Sequence, residues 1–416
     1  MGREQRSVPR PDIAGLGAAA DPAWLTAKTA AAVTAAEPRP FSDAEYRNRL
    51  EAVRRRMAEA ALDAMVVFRP SSVEYLCGYN TAETAPQPLL VTGSHTCLYV
   101  PDLEVGRALA GSRVGRIRFV GYADALRSLG MFLDHAAGLL PPGARVGIEA
   151  GHASTPPQAV EILRARGVAV VDPDHLVERV RLVLSDAEIG CIETAALATR
   201  AGTDAAAAEA RKPGATDSSV AAAIAAALFR NADSPSAWGP VVATGERAGI
   251  PHSSWVNRRL GAGPTFLEFA GAHRRYHAPV MRTLAAGALS PGDRRLAELA
   301  RTALAAVLES AKPGVECSRV ADHAARAVGR LPEDVVFHRL YGYPVGLAHK
   351  PHWMDGAPFY ITRDNHEPLQ RGMVFHVPAS FRSFGRSGVG LSQTFVVEEH
   401  GARVLTHGPA EIIEVG

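Results

Sequence analysis

The chain has 416 residues, and at roughly 100–200 residues per domain this predicts two or three domains rather than one small module. Its 45 Lys and Arg against 43 Asp and Glu leave a net charge of +2, which excludes the broad field that draws proteins to nucleic acid or anionic membranes. With 47% hydrophobic residues large cores are expected, yet no stretch approaches the ~20 consecutive apolar residues of a membrane span, so the expected partner is a small molecule, not nucleic acid or membrane.

Residues 1–40 are rich in Ala and Pro without a sustained amphipathic period and are expected to form a mobile arm without chemistry of its own. The opening MGREQRSVPRPDIAGLGAAADP lacks the apolar core of a secretory signal, so a cytoplasmic location is expected. Cys77, Cys97, Cys191 and Cys317 form no CxxC pair and no Cys/His grouping, and read as buried thiols. From Phe41 the pattern changes. Tyr46, Leu50, Val53 and Met57 recur at helical spacing behind Ser42 and Glu45, a capping-box pair, which predicts a helix. Short apolar runs follow (AMVVF, PLLVT, TCLYV, RIRFV, RVGIEA, VAVVD), alternating with helical pieces, so residues 41–180 are predicted to form an α/β domain.

Ser185 and Glu188 form a second capping signature, at the head of a long Ala-rich helix that ends at Lys212-Pro213-Gly214. Lys312-Pro313-Gly314 recurs one hundred residues later, again between two helical runs. The first unit is followed by the strand-like TFLEFAG and the second by VFHVPASF, which suggests a duplicated half over residues 181–416 with its site in the groove between the copies.

Several blocks then bear on one another: SDAEIGCIETAALAT, the two Lys-Pro-Gly turns, IPHSSWVNR, LEFAGAHRRYHAPVMRT, YGYPVGLAHKPHW, RGMVFHVPASF and GLSQTFVVEEHG. This series resembles the pita-bread superfamily of methionine aminopeptidase, prolidase, aminopeptidase P, creatinase and ectoine hydrolase, over roughly residues 41–412. The resemblance implies an α+β fold. A duplicated pita-bread catalytic domain (181–416) follows a smaller α/β domain of the creatinase/prolidase N-terminal type (41–180). It also implies a homodimer in which a loop near Tyr79–Gln87 reaches the partner's site.

The peptidases of that superfamily hold two metal ions with two Asp, one His and two Glu, because paired hard cations need several anionic oxygens. Here the matching positions carry Glu268, Pro279, Tyr343, Pro378 and Ser392, so one carboxylate remains. Proline has no side-chain donor and serine is a poor divalent-metal ligand, so the expectation is a site without metal or cofactor. The segment GPTFLEFAGAHRRYHAPVMRT, with GYPVG and GMVFHVP, looks most like the ectoine-hydrolase branch. That resemblance implies hydrolysis of a non-peptide C–N bond in a small cationic or zwitterionic amidine or guanidine. The alternatives are a dinuclear X-Pro peptidase and a non-catalytic binding protein on the old peptidase fold.

Such chemistry needs a base for water, an anion for the cationic substrate and an acid for the departing nitrogen. His252 matches the position of the creatinase general base and is the expected activator of water, the bland alternative being a structural loop histidine. Glu268, flanked by apolar residues, is expected to bind and orient the cationic C–N–N unit, unless it forms a structural ion pair with Arg274, Arg275 or Arg282. His376 is the candidate acid or substrate ligand, or a core histidine. Tyr276 and His277 are candidate substrate contacts, with alternation in an extended run sending them to opposite faces; Arg282 reads as architectural. Tyr343 is expected to line the cavity and donate a hydrogen bond. His349 and Trp353 lie on a proline-broken loop with Trp353 at the pocket wall, and Arg382 and Arg386 are candidates to clamp a substrate carboxylate.

Overall fold

The computed structural model describes residues 11–19, 22–37, 40–81 and 85–416. The chain divides into two compact units, Met1–Val180 and Arg181–Gly416. Among the described residues no helix is long and apolar enough to cross a membrane.

The first unit is built on a mixed seven-stranded sheet. Its elements are β1 (Asp12–Gly15), α1 (Ala27–Ala36), α2 (Asp43–Glu59), β2 (Ala64–Val67), α3 (Pro70–Cys77), β3 (Leu89–Thr92), β4 (Thr96–Pro101), α4 (Val105–Gly111), β5 (Arg116–Val120), α5 (Ser128–Gly138), β6 (Arg145–Gly147), α6 (Gln158–Ala165), β7 (Ala169–Val171) and α7 (Leu176–Arg181). The strands run in the order β1-β5-β4-β3-β2-β6-β7. Each of the six apolar runs becomes one of β2 to β7, and Val66, Leu90, Tyr99 and Val146 pack with Phe132 and Leu163 into the core. In α2 the Ser42 hydroxyl accepts the Glu45 N–H at 3.2 Å, and Tyr46, Leu50, Val53 and Met57 are buried as the spacing requires.

The arm expected over residues 1–40 is corrected by the structure over its described part. β1 runs parallel to β5 as an edge strand, and α1 packs on α4. Backbone pairing holds β1, and α1 offers little beyond alanine to bury, so neither carries an apolar period that sequence reading detects. Residues 1–10, 20–21 and 38–39 of that segment, and 82–84 of the loop expected to reach a partner, lie outside the described residues.

The second unit repeats a helix pair and a sheet. Its first half contains α8 (Asp186–Ala210), α9 (Asp217–Asn231), β8 (Val241–Thr244), β9 (Gly263–His273) and β10 (Tyr276–Ala286). The second contains α10 (Pro291–Ser310), α11 (Cys317–Val328), β11 (Tyr343–Pro344), β12 (Val374–Val377), β13 (Ser380–Ser383), β14 (Ser387–Gly390), β15 (Gln393–Glu398) and β16 (Gly401–Val404). The last strand, β17 (Ile412–Glu414), returns to pair with β10 in the sheet β17-β10-β9-β8. Both Lys-Pro-Gly segments are helix-ending turns, with Gly214 and Gly314 at φ 79° and 80°, backbone that a side chain disfavours. Leu267, Phe269 and Val280 of the first sheet pack on α8 and α9, while Phe375, Phe381 and Phe395 pack with α10 and α11. All four cysteines are buried and free.

Thr199 of α8 accepts the Gly271 N–H at 2.8 Å and donates to the Ala278 carbonyl at 2.7 Å, fastening the helix to both strands of the β9–β10 hairpin. Gly271 permits this approach, since a Cβ there would stand 2.3 Å from the Ala195 carbonyl oxygen. Gly271→Ala is expected to destabilise the protein by about 1–3 kcal/mol, read as a lower urea midpoint at unchanged m value; an unchanged midpoint would show that α8 can shift away at no cost.

Candidate active site

Alternation along β9 sends Leu267 and Phe269 into the helix-facing core and turns Glu268 the other way, on the face it shares with Phe266 and with Met281, its cross-strand partner. Glu268 is 5% exposed. The ion pairs with Arg274, Arg275 or Arg282 are not formed, and no hydrogen bond reaches its carboxylate among the described residues. Burial raises its pKa to about 7, offset only in part by the Arg382 guanidinium. Arg382 of β13 lies with its guanidinium carbon 5.0 Å from the centroid of the Phe266 ring, two residues along from Glu268. Its Nε is buried without a hydrogen-bond partner among the described residues. A carboxyl and a guanidinium thus share one face with no hydrogen bond between them.

Beside them runs a chain of hydrogen bonds. Trp353 Nε1 donates to the Tyr343 hydroxyl at 2.9 Å, which lies 2.6 Å from His376 Nδ1. His376 Nε2 lies 2.6 Å from the Ser392 hydroxyl, and Ser392 Oγ accepts the Met281 N–H at 2.5 Å. Strand pairing sets this up: Tyr343 of β11 sits opposite His376 of β12, and Ser392 immediately precedes β15, which pairs with β12. His376 is fully buried, and burial together with the Arg282 charge lowers its pKa to about 3, so the ring is neutral. Burial and the nearby Glu268 charge hold the Tyr343 phenol well above its ordinary range. Two proton arrangements satisfy the chain. In one, Tyr343 donates to Nδ1 and Nε2–H donates to Ser392; in the other, Ser392 donates to Nε2, Nδ1–H donates to Tyr343, and the phenol proton is free to point elsewhere.

Trp238 collects the remaining rings. It packs at 5.2 Å from Trp353, 4.6 Å from His352 and 5.5 Å from His252 between ring centroids. His352 Nδ1 accepts the Met354 N–H at 3.0 Å, and burial and His252 lower its pKa to about 4, so it presents a neutral Nε2–H donor. His252 is exposed, in left-handed backbone at φ 58°, with no hydrogen bond to its ring among the described residues.

The structure therefore brings together Glu268, Tyr343, Trp353, His376 and Arg382, with His252 at their edge through Trp238. Tyr276 and His277 are not brought into this group. The HRRYH run is a hairpin turn, Arg274 and Arg275 both having positive φ (49° and 61°), with their N–H groups held by Asp233 Oδ1 and Ser234 Oγ. Tyr276 then donates to Glu188 at 2.6 Å inside the core. His277 Nε2 accepts the Ala237 N–H at 2.9 Å, next to Trp238, and burial lowers its pKa to about 4, so its ring anchors the Trp238 loop. His349, on the loop with Trp353, acts electrostatically on His277. Arg386 lies 3.8 Å from Asp334 on the surface. Sequence reasoning treated Ser392 only as a lost ligand and passed over Trp238; an aromatic held between Ser-Pro-Ser-Ala and Gly-Pro just ahead of a strand was the available signal.

The residues that the family resemblance sets at the five ligand positions of the dinuclear peptidases do not have the chemistry of a metal-pair donor set. Pro279 and Pro378 offer no donor, and both nitrogens of the adjacent His376 are committed to hydroxyls. Among the described residues no three His, Cys, Asp or Glu side chains gather as a metal-binding group.

A duplicated helix-pair-and-sheet domain that follows a smaller α/β domain along the chain defines a pita-bread protein. The chain belongs to Metallopeptidase family M24, whose profile matches residues 190–399, and the Creatinase/Prolidase N-terminal domain matches residues 49–183. Membership places it among hydrolases. It is 28% identical over 392 residues to "Uncharacterized hydrolase/peptidase y4tM" of Sinorhizobium fredii, covering 90% of this chain and 98% of the relative. Over 400 residues it is 27% identical to the ectoine hydrolase of Halomonas elongata, covering 90% of this chain and 98% of that protein. The prolidase of Pyrococcus horikoshii OT3 has the same fold, with a TM-score of 0.76 at 22% identity over 88% of this chain and 100% of that one.

Because the folded pKa of Glu268 lies above its ordinary value of 4.5, at about 7, the native state holds a proton that the unfolded chain releases. Stability is therefore lost as pH rises from about 4.5 to 7. Glu268→Gln is expected to gain thermal stability over the parent between pH 5 and pH 8, by on the order of 2 kcal/mol. A stability difference that does not change across that range would mean the carboxyl titrates normally.

Proposed function

We propose that the protein is a metal-independent hydrolase of a non-peptide C–N bond in a small cationic or zwitterionic amidine or guanidine, of the ectoine-hydrolase or creatinase type. The observation that carries this reading is the donor set. Where a metal pair needs several anionic oxygens, the chain offers one carboxylate and a histidine with both nitrogens spent. The likeness to an ectoine hydrolase over nearly the whole chain supports the same choice.

In this reading the amidinium or guanidinium lies against Glu268, and the bound cation restores the ionised carboxylate that burial disfavours. A substrate carboxylate faces Arg382, whose Nε has no other use among the described residues. His252 takes a proton from water as the water oxygen attacks the amidine carbon and the C=N electron pair moves onto nitrogen. Collapse of the tetrahedral carbon breaks the C–N bond, and the leaving nitrogen takes up the proton that His252 removed. With its pKa near 3, His376 does not donate as an imidazolium. Its tautomer change instead frees the Tyr343 O–H to hydrogen-bond the lone pair developing on nitrogen as the C=N bond opens.

Metal-stripped protein incubated with ectoine, creatine, guanidino acids and X-Pro dipeptides, read by mass spectrometry, is expected to cleave an amidine or guanidine with no response to chelator. Turnover of dipeptides alone, and only after divalent metal is restored, overturns the proposal in favour of an X-Pro peptidase. His252→Ala is expected to lower kcat by roughly 10²–10⁴-fold with the fold intact; undiminished turnover in that variant removes His252 as the base.

A further inference from the structure

Arg282 leaves β10 on the face opposite Glu268, because its neighbour Met281 is the residue paired with Glu268. It is 2% exposed, and the acceptors it meets are neutral: the Met281 carbonyl at 2.9 Å, the Ser392 carbonyl at 2.5 Å and Gln393 Oε1 at 3.3 Å. Burial, helped by the like charge of Arg200 of α8, lowers its pKa to about 10. A buried cation normally has an anionic partner, because neutral dipoles replace its lost hydration only in part.

Arg200 itself spends Nε on Asp204, 2.9 Å from both carboxylate oxygens, and its two Nη groups meet no protein acceptor among the described residues. Its position is shaped by Gly408 at φ 84°, where a Cβ would stand 2.9 Å from Arg200 Nη1. Both arginines line a cavity of about 340 Å³, a size typical of small-ligand sites. Arg211 and His407 add positive or potentially positive groups to its wall, Asp204 and Glu411 are the carboxylates facing it, and Ile412 and Ile413 give it an apolar side.

We propose that this cavity is a binding site for a small organic anion, whose carboxylate or phosphate group lies between Arg200 and Arg282 and whose body rests on Ile412 and Ile413. The guanidinium groups supply planar N–H donors matched to such oxyanions. The site stands apart from the proposed reaction face, and its failure would leave Glu268 and its neighbours unaffected. It also touches them at one point, since Arg282 donates to the carbonyl of Ser392, whose hydroxyl bonds His376.

Isothermal titration of the full chain at low salt with glycerol phosphate, succinate, inorganic phosphate and chloride tests the proposal. One of the two organic anions is expected to bind with Kd below about 1 mM, and Arg200→Glu to weaken it at least ~tenfold, the usual worth of a charge-assisted contact. Tighter binding of glycerol phosphate assigns the head group as phosphate, and tighter binding of succinate as carboxylate. Arg282→Gln risks the fold, so Arg200→Gln, which removes the charge while keeping a polar side chain, serves as the second variant and is expected to weaken binding in the same direction. No measurable binding of either organic anion overturns the proposal. So does equal affinity in the parent and Arg200→Glu, or heat that chloride reproduces at matched ionic strength.

Discussion

The hydroxyl of Ser392 stands where the two halves of the second unit meet. It accepts the Met281 N–H from β10 of the first half and bonds His376 on β12 of the second, and from His376 the contacts run on to Tyr343 and Trp353. Each of these groups is buried, so leaving any one unpaired would cost about 1–3 kcal/mol, and in a low-dielectric interior the bonds reinforce one another. Trp353 in turn positions Trp238, and Trp238 packs against His252 and His352. Contacts thus run, ring by ring, from a serine in the core to the exposed histidine.

That chain is neutral from end to end, and its neutrality shapes the electrostatics beside it. Glu268 and Arg382 are the charged side chains on the adjoining face; burial opposes the ionised form of each and their mutual attraction offsets this only in part. A buried carboxyl and a buried guanidinium that do not hydrogen-bond each other leave that face with one group of each charge sign. The surrounding M24 scaffold is retained, and Tyr343 and Ser392, two of the positions that the family resemblance assigns to metal ligands, spend their hydroxyls on His376 instead.

Much of the scaffold was legible because burial imposes period. The six apolar runs of the first unit became six strands, Tyr46 to Met57 marked the buried stripe of α2, and the repeated Lys-Pro-Gly turns marked the duplication. What escaped had no period to read. β1 is held by backbone pairing, and the turn at Arg274–Arg275 uses two arginines in left-handed backbone, stabilised by Asp233 and Ser234 some forty residues earlier in the chain. Without a Gly or Asn to announce it, the HRRYH run reads as continuous strand, and Tyr276 and His277 then look available to a ligand when the core has already claimed them.

By itself the sequence determined the order of helices and strands, the duplicated half and the family likeness, because these depend on residue type and spacing along the chain. Which side chains share a face was decided only by tertiary structure. The pairing of Glu268 with Met281 across the hairpin, the closure of Tyr343, His376 and Ser392 into one hydrogen-bonded chain, and the approach of Arg200 to Arg282 join residues far apart in sequence. The physical reason is that hydrogen bonds and desolvation act over a few ångströms of space, and packing alone sets which groups fall within that range.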